Sequence, residues 1–177
     1  MKRTLFFAAV LAISVMLFGS CEKENGSNPN PTPSPSTTAT IRIDAEGTAD
    51  ILSMLDFTGS EFKFGNQTID ISNLSCDKTF TVTETTQGSL TVVAKPKAGF
   101  SPAEGKTYDA VCHIEVYCCG NKCFDRELNL RTFDYEREKQ KENPRPIETI
   151  LSRWCSRLAA NYTYTVNPNG SFSDFGK

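Results

Sequence analysis

The chain is short of the groups that most enzymes bring together. It has one histidine, His113, and one tryptophan among 177 residues. It carries none of the spacings of a nucleophile elbow, a zinc-protease helix, a phosphate loop or a dinucleotide fingerprint. The carboxylates are scattered or gathered in one charged run, so the sequence reads as a protein that is not an enzyme and needs no cofactor. His113 alternates with Cys112 and Ile114, which places it on the outer face of a strand as an ordinary surface imidazole. A basic stripe with interleaved aromatics is also missing, which argues against nucleic acid as a partner. The longest apolar stretch, residues 5–18, is fourteen residues broken by Ser14, whereas a helix needs about 20 to cross a bilayer.

What is present begins with an export signal. Met1-Lys2-Arg3 puts two cations ahead of that apolar stretch, and Gly19-Ser20 then shortens the side chains, so residues 1–20 read as a signal peptide. Ordinary signal peptidase wants a small residue at the third position before the cut, where this chain has Phe18. The tetrapeptide Phe18-Gly19-Ser20-Cys21 instead resembles the lipobox of bacterial lipoproteins, with Phe18 where leucine is usual. The resemblance implies that Cys21 is acylated and ties the protein to a membrane of the cell envelope, the outer membrane being the expected one. Glu22-Lys23-Glu24 resembles the acidic surface-export signal of some such lipoproteins, which would expose the protein at the cell surface. It reads equally as solvated linker.

Residues 21–40 are expected to hold the lipidated cysteine and a tether. Four prolines among residues 25–40, with few charges and little apolar content, cannot build a core and read as extended chain. Fully extended, residues 22–40 reach up to ~60 Å from the lipid, which favours an outside partner. Without Lys2 and Arg3 the chain carries 17 cations against 21 anions. The 137 residues from Ile41 onward suffice for one domain with a real core.

Giving Cys21 to the lipid leaves six cysteines, Cys76, Cys112, Cys118, Cys119, Cys123 and Cys155. An even number in an exported chain implies disulfides. Residues 108–132 read as two strands around a turn at Gly120-Asn121-Lys122. Ala110, Cys112, Ile114, Val116 and Cys118 then share one face with Phe124, Leu128 and Leu130. Only an odd-length loop matches apolar to apolar, and a three-residue loop sets Cys119 directly across from Cys123 at bridging distance. For the inward-pointing Cys112 and Cys118 the candidates are Cys76 and Cys155, with Cys76 to Cys112 preferred. A metal centre is not expected, because Cys119-x₃-Cys123 is a single knuckle and zinc sites pair two.

Short strands are expected at residues 41–44, 61–64, 68–72, 79–85 and 89–95, followed by the hairpin at 108–132. Phe80 and Val82, then Leu90 and Val92, alternate with polar residues in period two. The stretch 50–56 fits either a strand or one or two helical turns. Several such strands within residues 41–133 argue for an antiparallel β-sandwich, a mainly β fold. Within residues 134–177 come a charged run at 134–142, then Ile147, Ile150, Leu151, Trp154, Cys155 and Leu158 at helical spacing. Pro146 suits the first turn of that amphipathic helix and Asn161 its end. A small terminal hairpin then pairs residues 162–166 with 171–175, turning at Pro168 and Gly170.

Gly105-Lys106-Thr107-Tyr108, followed by the alternating Ala110, Cys112, Ile114 and Val116, resembles the penultimate strand of immunoglobulin-like and fibronectin-like modules. The resemblance implies an immunoglobulin-like sandwich over about half the chain. It departs from that pattern in lacking the buried strand tryptophan and in placing the tyrosine four residues before the cysteine.

A tethered sandwich needs contact surface and no catalytic set. The expected function is a surface-anchored, non-catalytic recognition, adhesion or envelope-complex module, with a glycan or an envelope protein as partner. Tyr162, Tyr164, Phe172 and Phe175 offer an aromatic platform for a sugar, or else close a small core with Trp154. Tyr117 near the hairpin tip is a further contact candidate. The alternative is a disulfide-stapled inhibitor of an extracellular enzyme that presents the Cys119–Cys123 loop, and a third reading is an enzyme of unseen type.

Overall fold

The computed structural model describes residues 38–176. The expected signal peptide, Cys21 and most of the expected tether lie outside these residues. Alternation along the chain produces a mainly β protein with antiparallel sheets. The first sheet contains β1 (Ala39–Gly47), β5 (Ser75–Val82), β8 (Thr107–Cys118) and β9 (Asn121–Asp134), in the order β5-β1-β8-β9. The second contains β3 (Glu61–Phe64), β4 (Gln67–Asp70), β6 (Thr86–Val92), β10 (Ala160–Val166) and β11 (Phe172–Gly176), in the order β11-β10-β6-β3-β4. A two-stranded ribbon joins β2 (Leu55–Asp56) to β7 (Lys95–Pro96).

Every second residue of β1 and β8 points inward: Ile41, Ile43 and Ala45 from one, and Ala110, Cys112, Ile114, Val116 and Cys118 from the other, are all buried. From the second sheet come Phe62, Phe64, Leu90, Val92, Tyr164 and Val166, and all of these belong to one apolar cluster. Rings meet between the sheets. Phe80 of β5 lies 5.2 Å from Phe64 and 6.1 Å from Phe62, and Phe124 of β9 lies 5.1 Å from Tyr162.

The ambiguous stretch at 50–56 divides into a short helix, α1 (Ala49–Met54), followed by β2. Thr48 decides the outcome: its hydroxyl oxygen accepts from Ile51 N at 3.4 Å and its hydroxyl donates to Asp109 O, which starts the helix and pins it to β8. The charged run contributes only α2 (Tyr135–Lys139). The amphipathic stripe forms α3 (Ile147–Leu158), capped at Ala159 rather than Asn161 because β10 begins at once. Its six apolar stripe residues are all buried, and the Trp154 ring lies edge-on to Phe133 at 4.9 Å. Among the described residues no helix is long and apolar enough to cross a membrane.

The terminal hairpin does not stand alone. β10 pairs with β6 along seven residues, from Ala160↔Val92 to Val166↔Thr86. The boundary expected at 133/134 therefore runs through one shared core, and the second sheet is incomplete without the last segment. Its turn matches expectation, with Gly170 N donating to Asn167 O at 2.9 Å across Pro168.

The tip of the β8–β9 hairpin differs from the expected three-residue loop. Cys118 pairs with Asn121, so the turn residues are Cys119 and Gly120, at φ 49° and 79°. Two positive φ values in sequence suit a tight two-residue hairpin turn. The odd residue needed to match apolar faces is supplied further along. Tyr117 pairs with Lys122 but Val116 pairs with Phe124, which leaves Cys123 as a bulge. Cys119 consequently sits in the turn and not across from Cys123.

Candidate functional site

The outer face of the first sheet brings together residues that are far apart in sequence. Because β1 runs between β5 and β8, its outward residues Arg42, Asp44 and Glu46 fall in register with both neighbours. Asp44 faces Asp77 on one side and Glu115 on the other, and Glu115 in turn faces Asp125. Four carboxylates therefore cross four strands in one row. In the next row Glu46 faces His113, which faces Glu127. On the other flank Arg42 faces Tyr117, which faces Lys122.

Two cations hold the acidic row, each spanning a pair. Arg42 Nη1 lies 3.3 Å from Asp44 and 3.6 Å from Asp77. Lys122 Nζ lies 2.8 Å from both Glu115 and Asp125. The Tyr117 hydroxyl donates to Glu115 Oε2 at 2.7 Å, and its ring carries the Arg42 guanidinium 4.3 Å from the centroid. His113 Nε2 stands 4.0 Å from Asp44 and 3.9 Å from Glu46.

The carboxyls respond differently to this setting. Lys122 holds Glu115 below its ordinary value, with help from Tyr117. Burial, with the neighbouring charges of Asp77 and Glu46, raises Asp44 against the pull of Arg42 and His113. The Tyr117 hydroxyl is pushed up by its bond to Glu115. One ligand atom each of Asp44, His113 and Glu115 lies within 4.8 Å of the others, a donor set that could hold a divalent cation. Such an ion would have to displace Lys122 and Tyr117 from Glu115 and Arg42 from Asp44. An open groove of about 830 Å³ runs beside the row, with Asp44, Glu46, Asp77 and His113 in its wall.

Of the residues singled out from sequence, His113 and Tyr117 come together here. Arg42, Asp44 and Glu46 were missed. Their alternation with Ile41, Ile43 and Ala45 marks them as outward, but nothing local says which strands β1 would lie between.

Tyr164 is not available to a ligand. It is buried between the stacked rings of Phe62 at 5.6 Å and Phe172 at 6.1 Å, and its hydroxyl donates to Lys63 O. Burial pushes that hydroxyl far up. The backbone of Gly88 runs against it so closely that a Cβ there would meet the hydroxyl at 2.2 Å. Tyr162 is half-buried, its hydroxyl accepting from Arg126 Nη2. The expected aromatic platform is thus mainly core, for a physical reason: β10 is an inner strand of the second sheet and its alternate residues must face inward.

The six cysteines are free thiols in this structure. Cys76 pairs with Ala45 and Cys112 with Gly47, on opposite sides of β1. Strands two places apart are about 9.5 Å distant, beyond the roughly 7 Å between Cα atoms that a disulfide spans. The expected bridge from Cys76 to Cys112 therefore has no geometric support. Cys155 is buried in α3. Three cysteines gather at the hairpin tip, where burial first, and then the neighbouring Cys119 and Cys123, push the Cys118 thiol up.

Comparison with protein-family models, with curated proteins and with solved structures found no match to this chain.

Proposed function

We propose that the protein is a lipid-anchored lipoprotein of the outer membrane, exposed at the cell surface, and that its folded part is a non-catalytic recognition module. The outer face of the first sheet is its contact surface. The observation that carries this reading is the row Asp77, Asp44, Glu115 and Asp125. Like charges directly opposite on neighbouring strands cost stability, and departures of this kind from folding consistency concentrate at functional surfaces. With Glu46 and Glu127 beside it, the face is a rigid acidic patch suited to a partner of opposite potential.

The sequence supports the anchor through the lipobox-like tetrapeptide ending at Cys21, and the proline-rich tether gives the module its reach. Tyr108 supports an immunoglobulin-like reading of the sandwich. It is buried at the start of β8, and its hydroxyl accepts from Ala103 N at 2.7 Å. A tyrosine latched to backbone a few residues upstream is a feature of that architecture.

Two measurements test the proposal in the producing cell. Growth with a palmitate analogue is expected to label the protein, and Cys21→Ser to abolish the label. A photo-crosslinking residue at Glu46 is expected to give a discrete adduct that one at Gln67, on the far sheet, does not give. An unlabelled wild type would remove the anchor, and identical adduct patterns at the two positions would remove the sheet face.

A further inference from the structure

A second surface has the opposite character. Between the end of β9, α2 and α3 lies a groove of about 360 Å³, with Phe133, Ile150 and Trp154 in its wall. Leu130 lies at its edge and is 37% exposed, the one large apolar side chain exposed among the described residues. Around this apolar floor stand Arg137, Lys141, Arg145 and Arg153.

The cations outnumber the carboxylates here, although the exported chain is acidic overall. Only Asp134 and Glu138 border the groove as anions, and both are engaged. Asp134 caps α2 by accepting from Arg137 N at 3.2 Å, and Glu138 is paired with Lys141. The guanidiniums of Arg137, Arg145 and Arg153 are exposed and take part in none of the ion pairs or hydrogen bonds among the described residues. Three unspent planar forks beside one apolar trough match a ligand with an oxyanion at one end and an apolar face at the other, since guanidinium binds carboxylate through two parallel hydrogen bonds.

We propose that this groove binds an acidic sugar, a uronic-acid residue whose carboxylate is held by the arginines and whose C–H face lies on Leu130 and the aromatic floor. Its volume is at the lower end of the roughly 300–1,000 Å³ of small-ligand pockets, which suits one or two sugar rings better than a folded peptide segment. Thr132 also lines the groove and offers a hydroxyl for a ring hydroxyl. An inorganic oxyanion would leave the apolar floor unused. The groove shares no lining residue with the one beside the acidic row, so this proposal and the sheet-face proposal stand or fall separately.

Trp154, the chain's one tryptophan, sits in the groove and reports its occupancy. In the full chain, titration with trigalacturonate is expected to change tryptophan fluorescence saturably and to weaken as salt is raised. The neutral trisaccharide maltotriose is expected to have no effect. Arg137→Gln with Arg153→Gln is expected to weaken binding about tenfold, with an unchanged thermal midpoint because both side chains are exposed and unpaired. No response to trigalacturonate, or a response that the double variant leaves intact, would overturn the proposal. So would equal competition by inorganic phosphate, which would mark a plain oxyanion site, or tighter binding of a hexaglutamate peptide, which would mark a protein partner.

Discussion

Asp44 on β1 and Glu115 on β8 stand directly opposite each other on the solvent face of the first sheet, carboxylate to carboxylate, with Lys122 on one and Arg42 on the other. The two acids are unequal. Glu115 is held below its ordinary value of 4.5 chiefly by Lys122, and Asp44 is raised above 3.8 chiefly by burial.

This inequality gives opposite signs to two substitutions. A carboxyl lowered in the folded state contributes stability above its unfolded value, and that contribution is lost as pH falls through the folded value. Glu115→Gln should therefore lower the thermal midpoint at pH 7 and not at pH 3. Asp50→Asn should do the same, since Asp109 N and Lys106 hold the Asp50 carboxyl down. A raised carboxyl contributes stability only at low pH and loses it as pH rises through its folded value. Asp44→Asn should accordingly raise the midpoint at pH 7, with the gain fading toward pH 3. Calorimetry from pH 3 to 8 checks all three, and a loss at pH 7 for Asp44→Asn would contradict the assigned burial cost.

Tyr164 is a core residue, so Tyr164→Ala should cost about 3–5 kcal/mol of folding stability rather than remove a binding function. Gly88→Ala should act on the same spot from the other side. Its Cβ would meet Lys63 O and the Tyr164 hydroxyl at 2.2 Å each, and overpacking of this kind costs about 1–3 kcal/mol. Urea unfolding of both variants is the check. A stable Tyr164→Ala protein would refute the placement of β10 beside β6.

Removing only the Tyr108 hydroxyl isolates the latch to Ala103. Tyr108→Phe should cost about 1 kcal/mol and speed hydrogen exchange at Ala103 N, leaving the ring packed 5.8 Å from Phe100. Unchanged exchange at that amide would show that the latch is not formed in solution.

The thiols should separate by position. In reduced protein at pH 8, iodoacetamide is expected to label exposed Cys119 first. Cys112 and Cys118, each pushed up to about 12 first by burial, and Cys155, to about 11 for the same reason, should label only on unfolding. Mild oxidation is expected to join Cys118 to Cys119 or Cys123 before any bridge reaches Cys76. Peptide mapping after each treatment decides the matter, and an early bridge from Cys76 to Cys112 would contradict the strand order.

Whatever depends on neighbours along the chain is legible in the order of the residues. Period-two alternation placed β3 at residues 61–64 and set the inward face of β8. The apolar stripe placed α3 from Ile147 to Leu158, and Pro168 with Gly170 placed the terminal turn. A short-range pattern is enough because backbone geometry repeats every two or 3.6 residues. At the β8–β9 tip, apolar matching correctly demanded an odd residue but could not say whether loop or bulge would supply it. Cys119-Gly120 lacks the asparagine or aspartate that usually signals such a turn.

Which strands lie side by side follows from the fold of the whole chain. β1 meets β8 about seventy residues later, and β10 meets β6 across a similar gap. Those pairings assemble the acidic row from four strands and bury Tyr164, because register between distant strands is set by packing of the whole core. The arginine groove has the same origin: Leu130 and Arg153 become neighbours only when α3 folds back over the end of β9.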